Sequence, residues 1–229
     1  MSGTDAHSAP HTIELSVRRT ARVVLLGDAG SDVRQVWIAC HGYGQLAPGF
    51  AQALAPLAAA GRLVASPEAL NRYYLDDHGG VHGPQHPVGA TWMTREERAA
   101  EIADYCAYLD TLYEHVFASV PRTGATLVAL GFSQGAATVA RWAHRTRHPI
   151  DHVVLWGAGL PPELRPAPEL MGMATLTLVA GTRDRYASDP VHAQAADLEA
   201  AGVAVDVRRF DGGHRLDDDT LRELADRFA

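Results

Sequence analysis

Short, uninterrupted apolar runs separated by helical stretches are the feature that most constrains this chain. Val36–Ala39, Leu63–Ala65, Ala125–Leu130, Val153–Trp156 and Leu176–Val179 contain no polar residue beyond Thr126 and Thr177. A strand with one wet face alternates between apolar and polar residues. A strand buried on both faces reads as continuous hydrophobic sequence, and a parallel sheet covered by helices on both sides needs such strands. Helical patterns fall between the runs at Leu46–Ala60, Ala136–His144, Val191–Ala201 and Asp218–Phe228, with a strand expected over Val203–Val207. The strongest helix signal follows Thr94. Thr94-Arg95-Glu96-Glu97 fits a capping box, and Ile102, Tyr105, Leu109, Leu112 and Val116 recur at steps of three and four. The expected fold is therefore α/β: a mostly parallel sheet with helices on both faces, in one domain over residues 12–229, after a frayed tail at 1–11.

Two edges of the pattern are less regular. Ile13, Leu15 and Val17 alternate with Thr12, Glu14 and Ser16, the period of a half-buried strand. That strand and Val23–Leu26 are expected to form an antiparallel hairpin at one sheet edge. Residues 67–93 are rich in Gly, Pro and His without a clear period, and read as a long loop of the kind that often carries function.

Composition narrows the chemistry. Hydrophobic residues make up 47% and charged residues 21% of the 229, as in a soluble globular protein. The net charge of −7 argues against nucleic-acid or anionic-membrane surfaces. All 20 basic residues are arginine, so Schiff-base, Walker-A and kinase lysines are excluded. Cys40 and Cys106 are too few for a disulfide framework, which favours a reducing compartment. No signal peptide is visible in residues 1–12 and no stretch approaches the roughly 18 apolar residues that a membrane span needs. A cytoplasmic location is the expectation.

The sharpest motif is Gly131-Phe132-Ser133-Gln134-Gly135, placed directly after a strand and directly before a helix. In that context a G-x-S-x-G turn holds the serine in a strained conformation above the sheet edge, at the positive end of the helix. Outside that context the same five residues are only a tight turn. A serine nucleophile needs a base. Of the histidines past Ser133, His144, His148, His152 and His192 fall in or beside helices and strands. His214 lies in a loop after the last strand, in Asp211-Gly212-Gly213-His214. The acid that would orient it is expected after the strand preceding Gly181. Asp184 stands there, with Asp189 as rival because it also suits a helix cap; Asp206 and Asp211 are tied to the last strand and its turn. Charge developing on a substrate carbonyl needs fixed N–H donors. The backbone N–H groups of Gln134 and of Tyr43, in His41-Gly42-Tyr43-Gly44 after an early strand, occupy the expected places.

These residues together (Cys40-His41-Gly42-Tyr43-Gly44, Gly131-Phe132-Ser133-Gln134-Gly135-Ala136, Asp184 and His214) resemble the α/β-hydrolase superfamily. Within it, they are similar to the phospholipase/carboxylesterase group that includes acyl-protein thioesterases. The Phe-Ser-Gln-Gly-Ala elbow is the most specific part. The resemblance implies hydrolysis of carboxylic esters or thioesters through an acyl-enzyme, with Ser133, Asp184 and His214 as catalytic residues and no cofactor or metal. It implies a small-molecule ester as the partner and a monomer or homodimer. Tyr186 departs from the group, where a small apolar residue is common two positions after the acid. The segment 67–93 also differs from acyl-protein thioesterases, while Trp92-Met93 looks more like small bacterial esterases.

Tyr73, Tyr74, Leu75, Trp92 and Met93 are candidates to wall a substrate pocket, since such pockets are mostly apolar. They are equally suited to covering the core. His78, His82 and His86 are spaced four apart, but the intervening Gly79, Gly80, Gly83 and Pro84 oppose a helix that would align them on a metal. Cys40, at a strand end, reads as a buried small hydrophobe. A thioesterase would use the same residues as an esterase, and a protein that only binds its ligand could keep the same fold.

Overall fold

The computed structural model describes residues 11–76, 81–165 and 175–229, apart from a few side chains near residue 190. Seven strands form the main sheet: β1 (Val23–Leu26), β2 (Gln35–Cys40), β3 (Arg62–Pro67), β6 (Thr126–Phe132), β7 (His152–Trp156), β8 (Thr175–Gly181) and β9 (Val205–Phe210), in the spatial order β1-β3-β2-β6-β7-β8-β9. Every neighbouring pair is parallel except β1 with β3. β4 (Asn71–Tyr74) and β5 (Val88–Thr91) form a separate antiparallel pair. The helices are α1 (Ala47–Ala53), α2 (Arg98–Phe117), α3 (Gln134–Arg145), α4 (Ser188–Ala200) and α5 (Asp218–Arg227).

Continuous apolar strands place side chains in two cores. On one face Val36, Ile38, Leu127, Ala129, Val153, Leu155 and Leu178 meet the apolar stripes of α2, α3 and α4. On the other, Trp37, Val128, Leu130, Val154, Trp156 and Val179 meet Phe50 of α1 and Leu221, Leu224 and Ala225 of α5. Successive residues of one strand thus enter opposite cores, as the period of two requires.

From β2 the chain runs to β3 on one side, between β2 and β1, and then crosses to β6 and proceeds to β9 on the other. The switch of direction lies between β2 and β6, where ligands of open α/β sheets bind, outside the carboxyl ends of the strands. The register pairs Cys40 with Gly131 at those ends. The loop carrying Tyr43 and the turn carrying Ser133 therefore leave the sheet side by side.

Several local expectations are corrected. Residues 12–17 form no strand: Ile13, Leu15 and Val17 are 69%, 78% and 83% exposed, and no hairpin joins them to β1. The edge pairing goes instead between β1 and β3, about forty residues on, where β1 satisfies the backbone N–H and C=O groups along the free edge of β3. The stretch 67–93 is not a plain loop, since it contains β4 and β5. The capping box at Thr94 does not form. Helix α2 starts at Arg98 with Glu97 at φ 43°, and the Thr94 N–H donates to the Glu101 carboxylate, which Asn71 also holds (2.7 Å). A tertiary contact overrides the local signal. Helical structure expected over 46–60 is α1 followed by one short turn at Ala55–Leu57.

Candidate active site

The elbow is built by backbone meeting backbone. A Cβ on Gly131 would lie 2.1 Å from the Gly135 carbonyl oxygen, and one on Gly135 would lie 2.1 Å from the Cys40 carbonyl oxygen. Only glycine lets the strand end, the helix start and the neighbouring strand approach this closely. Ser133, between them, is held at φ 55° and ψ −115°. Such a conformation costs about 1–3 kcal/mol and persists only where the surroundings enforce it. The Ser133 N–H donates to the Trp156 carbonyl (2.7 Å), pinning the turn to β7. Gly42 faces the serine: a Cβ there would sit 3.2 Å from the Ser133 Cβ.

His214 and Asp184 meet at the same sheet edge. The loops after β8 and β9 are bound together by Thr182 N–H to the Phe210 carbonyl (2.9 Å) and Arg183 N–H to the Gly212 carbonyl (2.8 Å). His214 Nδ1 lies 2.7 Å from Asp184 Oδ2. The other carboxylate oxygen accepts the Tyr186 and Ala187 N–H groups at 2.9 and 3.2 Å. Asp184 is buried, and its carboxylate acts as acceptor, so the Nδ1–H tautomer of His214 is favoured and Nε2 keeps the lone pair, with no hydrogen-bond partner among the described residues. The imidazole packs on Phe132, the residue before the serine (ring centroids 4.9 Å), with Tyr186 edge-on at 5.3 Å on its outer side. The Trp156 indole N–H holds the carbonyl of Arg215 (2.9 Å), fixing the His214 loop to the strand that also holds Ser133. The side chains of Asp189 and His192 lie outside the described residues.

His41 organises the loop after β2, a role absent from the sequence reading. It is fully buried. Its Nε2 accepts the Ala69 N–H (3.0 Å), so Nδ1 carries the proton and donates to the Gly42 carbonyl (2.8 Å). That carbonyl belongs to the same peptide unit as the Tyr43 N–H. In a trans peptide the two point in opposite directions, so anchoring the carbonyl on His41 aims the N–H away from His41. Among the described residues neither the Tyr43 nor the Gln134 N–H has a hydrogen-bond partner. Burial pushes the His41 imidazole below its usual range, against the Gly42 hydrogen bond and the nearby Glu68. The neutral ring is the one this network needs. Glu68 is itself buried. Desolvation would raise its carboxyl, but hydrogen bonds from Arg22 and Arg72 prevail and hold it low.

The five candidate wall residues separate into three groups. Tyr73 and Leu75 reach the Tyr43–Gly44 loop: the Tyr73 and Tyr43 rings lie 5.4 Å apart, and Leu75 Cδ2 is 3.3 Å from where a Gly44 Cβ would be. Tyr74 points the other way, stacked on His82 at 3.9 Å with His86 beyond it. Trp92 is 2% exposed and Met93 packs on the core. His78 lies outside the described residues. Among the described residues no group of three or more His, Cys, Asp or Glu is arranged around a metal position. Burial pushes the Cys40 thiol well up, as suits an inert core residue.

The match to known proteins follows this geometry. No curated protein sequence matches significantly. Solved structures with the same fold include acyl-protein thioesterase 2 of Zea mays (18% identity, 91% of this chain and 97% of that one, TM-score 0.65). A carboxylesterase of Mesorhizobium loti (19%, 89% and 93%, 0.65) and a protein of unknown function from Agrobacterium tumefaciens (19%, 88% and 95%, 0.60) share it too. At these identities the likeness is one of fold. The serine aminopeptidase S33 family matches residues 31–195, a span that includes the Tyr43 loop, the Ser133 elbow and Asp184 and stops short of His214. The chain belongs to that family, and its fold is that of the α/β-hydrolases.

Proposed function

We propose that this protein is a serine hydrolase that cleaves carboxylic esters through an acyl-enzyme. The observation that carries this reading is the 2.7 Å contact of His214 with a buried Asp184, on a loop packed against the strained Ser133 turn. Strain at a half-buried serine, an imidazole nitrogen that keeps its lone pair and two N–H groups without partners among the described residues are what nucleophilic acyl transfer requires.

His214 Nε2 takes the Ser133 hydroxyl proton as Oγ bonds to the acyl carbon. The carbonyl becomes an oxyanion held by the Tyr43 and Gln134 N–H groups. Asp184 stabilises the imidazolium without taking its proton. The intermediate collapses as His214 protonates the departing alcohol oxygen. Water then enters by the same steps in reverse order of roles: His214 removes its proton, the acid leaves, and Ser133 recovers its hydrogen. Tyr73, Leu75 and Tyr43 face the acyl or alcohol portion. All these groups come from one chain, so a monomer suffices, and two free buried cysteines suit a reducing compartment such as the cytoplasm. Among the described residues no helix is long and apolar enough to cross a membrane.

Thioesters would be cleaved by the same residues, and the thioesterase of similar fold favours including them. The test is a panel of p-nitrophenyl esters from acetate to palmitate, matched acyl thioesters, and aminoacyl p-nitroanilides, with Ser133→Ala beside the wild type. Ester turnover abolished by Ser133→Ala supports the reading. Turnover confined to the anilides, or none in a folded protein, contradicts it.

A further inference from the structure

We propose that Trp92 is a positioning residue that ties together the two segments bearing the oxyanion N–H donors. The proposal rests on the serine-hydrolase reading above, because it concerns how that site is held. The donors belong to separate pieces of chain. Tyr43 follows β2, and Gln134 opens α3 some ninety residues later. Nothing covalent fixes their spacing, yet stabilisation of an oxyanion depends on donors placed before the charge develops.

Trp92, just after β5, touches both segments. Its indole N–H donates to the His41 carbonyl (2.8 Å), the peptide unit immediately before the one whose carbonyl His41 itself anchors. Its backbone N–H donates to the Gln134 side-chain oxygen (3.1 Å). The Gln134 amide nitrogen donates in turn to the Met93 carbonyl and to the Thr91 hydroxyl, both at 2.9 Å. The Gln134 side chain therefore clasps residues 91–93 from the elbow side, while the Trp92 ring reaches through to the other donor segment. The ring is itself immobilised, packed on His41 (5.2 Å) and edge-on to Tyr105 (6.2 Å). A pocket wall would need neither of these hydrogen bonds. A rigid tie needs both, and rigid support of a site by packed neighbours sets its geometry.

Trp92→Phe keeps an aromatic ring in the core, removes the donor to His41 and leaves part of the indole volume unfilled. The experiment compares kcat and KM on a p-nitrophenyl ester with amide deuterium exchange in peptides covering 40–46 and 133–137. The expected result is a fall in kcat of about tenfold to a hundredfold, less than loss of a whole oxyanion donor. KM stays within about twofold, the melting temperature falls because ring volume and the donor to the His41 carbonyl are both lost, the protein remains folded at the assay temperature, and exchange rises selectively in 40–46. Unchanged kcat, a loss lying in KM, or exchange that rises across the whole chain would overturn the proposal. Gln134→Met, which preserves the elbow backbone, provides a second route if the first variant fails to fold. It is expected to lower kcat alone, and the double variant to lose less than the product of the two, since both act on one tie. Wild type without Ser133-dependent turnover would sink the hydrolase reading, whereas the exchange arm would still decide whether Trp92 holds the loop.

Discussion

The Ser133 elbow and the β4–β5 hairpin lie on either side of the same loop, and they are built on opposite terms. At the elbow, backbone packs on backbone with no room for a Cβ, and every strained dihedral has a neighbour enforcing it. The base of the hairpin is also held: the Gly44 N–H donates to the Ala90 carbonyl (2.9 Å) and the Ala90 N–H to the Gln45 carbonyl (3.2 Å). Its outer part is open, with Tyr74 and Leu75 nearly half exposed and Val81 almost wholly so. Rigid parts of a fold carry chemistry that tolerates little displacement, and open loops carry selectivity. The difference predicts that substitutions at the elbow change whether the protein turns over, and substitutions in the hairpin change what it turns over.

The largest effects should come from the elbow and its partners. Ser133→Ala is expected to lower ester kcat by at least about 10⁴-fold with the fold intact, measured by turnover beside circular dichroism. Asp184→Asn should approach the same loss, since the favoured His214 tautomer is no longer held; a drop of less than about tenfold would remove Asp184 from the account. Gly131→Ala should fail to give soluble folded protein, because the added methyl meets the Gly135 carbonyl at 2.1 Å.

An intermediate effect is expected at His41, which belongs to both regions: it aims the Tyr43 peptide and accepts from Ala69, at the entry to the hairpin. Its native pKa lies below the unfolded value of about 6.5. The unfolded chain therefore binds the proton more readily, and the stability due to the neutral ring is fully present above about pH 6.5 and is lost as pH falls through the native value. His41→Asn should lower the melting temperature at pH 7.5, since the Ala69 N–H is left buried without an acceptor, at about 1–3 kcal/mol. The variant's melting temperature should also fall less than the wild type's between pH 7.5 and pH 5. Equal slopes would mean that His41 does not carry the acid sensitivity.

The smallest effects belong to the hairpin. Tyr73→Ala and Leu75→Ala should each shift KM or the preferred acyl length by about two- to tenfold, with kcat on the best substrate nearly unchanged and stability within about 1 kcal/mol. A loss of kcat on every chain length would break the distinction between the two regions.

What was legible in the sequence follows the same division. The elbow could be read because its signal is local: five consecutive residues between an apolar run and a helix. The burial of the central strands was legible for the same reason, since each announces itself in four to six residues. The Trp92 bond to His41 joins residues 51 apart and leaves no mark in spacing or composition, so Trp92 read equally as a pocket wall or as core cover. β4 and β5 were missed because Gly, Pro and His between them obscure any alternation. Ile13, Leu15 and Val17 show the opposite failure. Their alternation is good, but period alone supplies no partner: among the described residues β1 pairs only with β3, and no strand adds to its outer edge. Thr94 failed because the Glu101 carboxylate, itself held by Asn71, competes for the N–H group that opens the turn.

The most direct test of the account is covalent. Wild-type protein treated with a fluorophosphonate, digested and analysed by mass spectrometry should carry one adduct, on the peptide containing Ser133, and His214→Ala should slow its formation by orders of magnitude. A folded protein that takes no label at Ser133, or labels equally fast without His214, would contradict the claim that this strained serine and the Asp184–His214 pair form one nucleophilic site.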